Sequence, residues 1–367
     1  MSSEQAPRNY RDYLCLGELL SCQRRESARL GQPAHDEMLF IVVHQAYELW
    51  FKQILFELDP VLRAFDRPVM DDRSIAGIVH GLGRVAAILR LLIHQLDVLE
   101  TMTPLDFLDF RDLLFPASGS QSLQFKLIET RLGLRPEDRV SPGSQPAEAS
   151  LPDNDRSQYI AAAAAPSLRE LVEQWLARTP FVEMGDYQFR AEYRRVAQGM
   201  LAADSALLRG KTGPDEARRA AELKSLEAAC ERFEALFDDA LHRRLVAEGV
   251  WSFSARALQA ALFINLYRDE PALQLPFRLL SLLMDIDEQL TIWRYRHALM
   301  VQRMIGLKLG TGGSSGHDYL RLTAERHRVF RDLFALSTFF IPRSRLPALP
   351  PEVRRAMDYR YTDRTPV

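Results

Sequence analysis

Cysteine is scarce in this 367-residue chain: Cys15, Cys22 and Cys230 are the whole complement. No CxxC pair occurs, and an odd count leaves one thiol over. The sequence therefore carries neither a disulfide framework nor a thiolate metal site. Charge of one sign is also lacking. With 47 basic against 49 acidic residues the formal net charge is −2, and no basic patch with interleaved aromatics stands out. This excludes nucleic acid as an expected partner. The apolar runs are short and broken by charge, so no membrane span is expected. The N-terminal MSSEQAPRNYRDYL has no apolar core of the signal-peptide kind. A cytoplasmic protein is the expectation, with any metal question resting on histidine. A disordered chain is excluded by an apolar content of 47%.

Strand periodicity is missing too. No stretch alternates with period two over enough residues to argue a sheet, and no internal repeat is found. What is present reads as helix. From Asp36 to Leu58 apolar residues fall at 39/40, 43, 46/47, 50/51, 54/55 and 58, the stripe of an amphipathic helix, with Pro60 as the expected stop. Further helices are predicted over about 81–100, 104–114, 121–133, 167–178, 187–210, 214–246, 254–268, 275–307 and 317–337. Residues 138–157, dense in Pro, Ser, Gly and Asp, read as a loop insertion. The tail 342–367 holds five prolines and reads as an extended arm. The expected architecture is one all-α domain over 1–367, with 138–157 inserted in it.

The informative residues are polar side chains on apolar stripes. His44 shares a face with Phe40, Tyr47 and Phe51. Buried there, it is either a satisfied core histidine or a functional group, since an imidazole needs a partner out of water. His297 sits among Leu290, Trp293, Val301 and Met304. It is either core or the single axial ligand that a haem iron needs when the macrocycle fills the equatorial positions. A zinc site is disfavoured, because no second ligand stands at the right spacing. Arg111 shares a face with Phe107 and Leu114. Its planar fork suits a carboxylate, and the alternatives are a structural ion pair or a snorkelling side chain. The run Gly310-Thr311-Gly312-Gly313-Ser314-Ser315-Gly316 is either a flexible linker or a lid over a ligand; it is not a phosphate-binding P-loop, for no GK[ST] follows. Pro116-Ala117-Ser118-Gly119-Ser120 is a second small-residue turn, where a flat ligand could approach the backbone. Together these features suit a flat hydrophobic cofactor and a small substrate with a carboxylate.

The runs HDEMLFIVVHQAYELWFKQILFELDPV (35–61), VLETMTPLDFLDFRDLL and PASGSQSLQF (98–125), WRYRHALMVQRMIGLKLGTGGSSG (293–316) and NYRDYL (9–14) resemble the tryptophan 2,3-dioxygenase family. The resemblance is colinear and leaves out only 138–157 and the C-terminal arm. It implies an all-α helical-bundle subunit with a haem pocket, holding one haem b, ferrous in the active form, and assembled as a homotetramer. It implies L-tryptophan and O2 as substrates, with both oxygen atoms entering the indole C2–C3 bond to give N-formylkynurenine in tryptophan catabolism. Residue by residue, it makes His297 the iron ligand and His44 the catalytic distal histidine that hydrogen-bonds the indole N–H. Arg111 becomes the carboxylate clamp and Thr311 a contact to the substrate ammonium and carboxylate. Phe40 and Phe107 become pocket walls, and Ser118 and Gly119 lie against the cofactor. Tyr10, Tyr13 and Leu14 match a segment that reaches a neighbouring subunit's active site.

One position departs. The family commonly carries phenylalanine in the turn SGFQS, where this chain has Ser120. A monooxygenase on the same scaffold, forming a 2-oxindole from tryptophan or a methylated tryptophan, is therefore the alternative. A helical haem- or partner-binding protein without chemistry is the alternative of a different class, and the intact His44, Arg111, Thr311 and His297 argue against it.

Overall fold

The computed structural model describes residues 8–140, 151–210, 216–306, 308 and 316–359. Three short turns, α1 (Tyr10–Tyr13), α2 (Leu16–Leu19) and α3 (Glu26–Arg29), lead into two long helices, α4 (Glu37–Phe65) and α5 (Asp72–Leu99). Next come α6 (Pro104–Arg111), α7 (Leu123–Leu132), α8 (Asp153–Ala164) and α9 (Leu168–Leu176). A two-residue hairpin, Glu183–Met184 against Tyr187–Gln188, precedes α10 (Phe189–Gly210). The chain continues with α11 (Glu216–Glu234), α12 (Asp239–Ala247), α13 (Ala255–Leu266) and the 35-residue α14 (Pro271–Ile305). It closes with α15 (Gly316–Arg326), α16 (Arg331–Ala335) and α17 (Pro351–Ala356). The expected all-α class is what the described residues form.

Helix starts follow local chemistry. The Asp71 carboxylate caps α5 by accepting the Ser74 N–H at 2.9 Å. Thr103 and Asp106 form a capping box at α6, and Ser167 and Glu170 form one at α9. The frame of the molecule is α5 packed between α4 and α14, with α7 against α4 and α15 against α14. Its seam is apolar and fully buried: Ile54 and Leu58 from α4, Leu82 from α5, Leu279, Leu283 and Ile286 from α14. Each such side chain contributes roughly 1.5–3 kcal/mol by leaving water.

The structure corrects several expectations. The predicted helix 317–337 is two, α15 and α16, and the arm expected to be extended carries α17. Pro60 does not stop α4, which runs on to Phe65. Val61 and Phe65 are buried at 2% and 1% exposure, and Phe56, whose carbonyl loses its partner, lies on the solvent side where water can replace it. The 214–246 stretch is two helices, divided where the Asp238 carboxylate caps α12. The expected loop 138–157 yields at its far end to α8, which begins at Asp153; residues 141–150 lie outside the described residues. Lastly, α5 is by length and composition long and apolar enough to cross a bilayer. It is instead the central core helix, burying Leu82, Val85, Leu89, Leu92 and Leu96.

Candidate active site

One face of α4 presents Phe40, His44, Tyr47, Glu48 and Phe51 at helical spacing. Opposite, α14 presents Trp293, His297, Met300 and Met304. Between them is a cavity of about 350 Å³. Phe107 and Arg111 of α6 close one side, Ser118, Gly119 and Ser120 of the small-residue turn another, and Tyr319 and Leu320 of α15 a third. The lining is overwhelmingly apolar, with a few convergent polar groups, which is the make-up of a small-molecule site.

The aromatic wall is built around Phe40. Its ring lies 4.1 Å from His44, 5.8 Å from Phe107 and 5.6 Å from Phe110, centroid to centroid. The His44 Nδ1 is 2.7 Å from the Phe40 carbonyl oxygen. A carbonyl only accepts, so Nδ1–H donates and Nε2 is left as a bare acceptor. The surface that His44 exposes faces this cavity, and desolvation there lowers its pKa despite the Phe40 hydrogen bond and the nearby Glu48 charge. His44 is thus held neutral, with one lone pair available.

His297 is the second imidazole. Trp293, one turn back, stacks on it at 5.1 Å. Trp293 is itself fixed: its indole N–H reaches the Tyr47 hydroxyl at 3.3 Å, and that hydroxyl donates to the Leu92 carbonyl at 2.6 Å. Burial pushes the Tyr47 phenol up to about 12. Desolvation, helped by proximity to His44, pushes His297 down to about 4. Its Nδ1 is buried without a hydrogen-bond partner among the described residues. A neutral imidazole that lines a cavity and keeps a nitrogen unpaired among the described residues is a candidate ligand.

Arg111 is only 17% exposed at its side chain, and its Nη1 stands 3.8 Å from the almost fully solvated Asp112 carboxylate. Ser118 shapes the turn: its hydroxyl accepts the Ser120 N–H and lies 3.0 Å from the Ser120 hydroxyl, while its N–H donates to Gln121. The Lys126 ammonium holds the Ser120 carbonyl. A Cβ at Gly119 would meet nothing within 4 Å, so the backbone there is open to a flat neighbour.

Of the residues singled out from sequence, Phe40, His44, Phe107, Arg111, Ser118, Gly119 and His297 line this one cavity. Tyr10, Tyr13 and Leu14 do not reach it; they stand exposed on the N-terminal segment at 75%, 71% and 40%. Thr311 lies outside the described residues. Sequence reasoning missed Glu48, Phe125, Tyr319 and Leu320 as lining. Glu48 had a signal, being one turn from His44; the others are brought in by tertiary packing.

Among the described residues no group of three or more His, Cys, Asp or Glu could hold a bare metal ion. A single unsatisfied imidazole on an apolar floor is the donor set of a haem, whose ring brings its own four nitrogens. Fold and site together define an all-α protein built around one buried, aromatic-walled pocket with an imidazole on each side. The family model described as tryptophan 2,3-dioxygenase matches residues 1–340. The tryptophan 2,3-dioxygenase of Bdellovibrio bacteriovorus is 48% identical over 355 residues, covering 97% of this chain and 99% of the relative. That of Alteromonas mediterranea is 45% identical, covering 98% and 99%, and that of Dictyostelium discoideum 43%, covering 96% and 88%. The chain belongs to the tryptophan 2,3-dioxygenase family.

Proposed function

We propose that this chain is a haem-dependent tryptophan 2,3-dioxygenase, inserting both atoms of O2 across the indole C2–C3 bond of L-tryptophan to give N-formylkynurenine. The observation that carries this is the pairing of two neutral imidazoles across one aromatic-walled cavity in a chain of that family. His297 is the residue that would hold the iron. Ferrous haem b, bound there, supplies the activation of O2.

The protein's own part is orientation and dryness. The bare Nε2 of His44 accepts the indole N–H, and Phe40 and Phe107, stacked on each other, wall the side of the pocket that receives the ring. Arg111 receives the substrate carboxylate as a two-pronged donor. Thr311 belongs to the same set through the resemblance to the family. Leu96, Met102, Met300 and Val301 complete an apolar lining that excludes water from the reacting carbon pair. Binding at three points fixes which indole edge faces the haem. The oxygen chemistry itself is the cofactor's.

The assembly we infer is a homotetramer in the cytoplasm. Exposed Tyr10, Tyr13 and Leu14, and the solvent-facing Val42, Leu49 and Phe56 along α4, favour burial against another copy. In that assembly the N-terminal segment reaches a neighbour's pocket.

A product mass spectrum tests the activity. Haem-loaded, reduced protein given L-tryptophan under labelled O2 is expected to yield one product carrying two labelled oxygens. A product with one labelled oxygen would replace this assignment with a monooxygenase, and Ser120 on the pocket rim would be the first residue to restore to phenylalanine.

A further inference from the structure

A second buried polar cluster lies outside the pocket, and one of its members, Arg294, stands on α14. Glu129, on α7, is 5% exposed. Its carboxylate accepts from Arg294 at 2.7 Å, from Arg139 at 2.5 Å and from His327 Nδ1 at 3.3 Å. The His327 Nε2 accepts the Val140 N–H at 2.9 Å, which places the imidazole proton on Nδ1, facing Glu129. Arg294 donates its other prong to the His327 carbonyl at 3.1 Å. Arg139 donates also to the Lys126 carbonyl at 3.1 Å and the Thr130 hydroxyl at 3.0 Å. One carboxylate thus ties together α7, residues 139–140, α14 and the residue that follows α15.

The placement of these anchors is informative. Arg294 precedes His297 by three residues and shares its side of α14. His327 comes directly after α15, the helix whose Tyr319 and Leu320 line the cavity. Two residues further on, the Val329 N–H donates to Asp287 of α14 at 2.8 Å. The end of α15 is therefore fastened to α14 at two heights, while apolar contact along the helix fixes it less specifically. A buried ionic cluster is a poor source of net stability compared with well-packed apolar residues, because the desolvation of its charges offsets their attraction. What such a cluster does supply is a unique register, since each charge must meet its partner or stand unpaired.

We propose that Glu129 is a positioning residue. It sets the seat of α15, and with it the pocket wall made by Tyr319 and Leu320, relative to the helix that carries His297. This rests on the function proposed above in one respect only, that the cavity takes tryptophan.

The experiment compares the haem-loaded parent, Glu129→Gln, Glu129→Asp and His327→Ala by hydrogen exchange and by steady-state kinetics. In Glu129→Gln, amides in 317–326 are expected to exchange about tenfold faster, while those of α4 in 40–51 keep their parent rates. KM for L-tryptophan rises about fivefold with kcat changed less than about twofold. Glu129→Asp, which keeps the charge, restores most of both. His327→Ala, which leaves the Glu129 carboxylate with its two arginines, shifts exchange and KM in the same direction and serves if Glu129→Gln does not fold. Parent-like exchange in 317–326 in a folded variant would overturn the proposal. So would uniform acceleration through α4 and α15 with KM unchanged, the mark of a merely structural residue. A parent protein that binds haem yet does not turn over tryptophan would strike the functional assignment instead, and the exchange data would still decide the role of Glu129.

Discussion

Arg294 and His297 stand three residues apart on α14, both turned inward, and the fold treats them oppositely. Arg294 is saturated: a carboxylate and a carbonyl receive its two prongs. His297 keeps a buried nitrogen with no partner among the described residues. The electrostatics diverge in the same way. Burial alone would push Glu129 up, but Arg139, the His327 hydrogen bond and Arg294 outweigh it and hold the carboxyl well below its ordinary range. Around His297 no charge compensates, so desolvation leaves the ring neutral. Paired polar groups locate helices; a neutral imidazole that lines a cavity with no charge beside it is a candidate to hold something from outside the chain.

The contrast can be broken most sharply at His297. Replacing it with alanine is expected to reduce turnover to background, while the far-UV circular dichroism and the urea midpoint of the haem-free chain stay near the parent's, because no hydrogen bond is lost. At the paired cluster the opposite holds. Glu129→Gln leaves two buried guanidiniums without their shared anion and is expected to lower unfolding free energy by about 3–5 kcal/mol in urea titrations.

Arg111 belongs to the pocket rather than the scaffold, so Arg111→Leu is expected to act on substrate. Loss of a charged hydrogen bond worth about 1.5–3 kcal/mol raises KM for L-tryptophan by roughly one to two orders of magnitude. An unchanged KM would remove the carboxylate role. His44 gives a pH signature. Its Nε2 accepts only when bare, and desolvation lowers its pKa from the ordinary 6.5. In the pH profile kcat/KM therefore stays flat as pH falls to 6.5 and declines only below it; a decline beginning above 6.5 would contradict the neutral, desolvated ring.

The smallest effect is expected at Asp287. Burial raises its pKa, with Val329 and Arg328 compensating only in part. A carboxyl whose folded pKa lies above the unfolded one favours the fold fully below the unfolded value, 3.8, and loses that contribution as pH rises through the folded value. Asp287→Asn stays neutral and can still accept the Val329 N–H. At neutral pH it is expected to change stability by less than about 1 kcal/mol, toward the stable side. It should also flatten the acid side of the stability profile, as thermal melts between pH 3 and 7 would show.

Much of the pocket was legible because it rests on periodicity. His44 and His297 break apolar stripes on long helices, and the stripes themselves locate α4 and α14. Arg111 stands out for the same reason on α6. Register across the molecule is another matter. Glu129 meets residues 165 and 198 positions away, and nothing in its local sequence marks it. Tyr319 and Leu320 enter the cavity because α15 is seated by that distant cluster. The end of α4 was misjudged because proline is read as a local breaker, whereas Val61 and Phe65 bury beyond it. The start of α8 was missed because Asp153, Asn154 and Asp155 look like loop residues until Tyr159 is seen buried beneath them.

The central claim is that the unpaired imidazole of α14 is the cofactor's anchor. A haem titration followed at the Soret band addresses it most directly, with the parent, Arg111→Leu and His297→Ala run side by side. The parent and Arg111→Leu are expected to take up one haem per chain with the same affinity, and His297→Ala to show no saturable Soret band. A His297→Ala protein that binds haem as tightly as the parent would contradict the account.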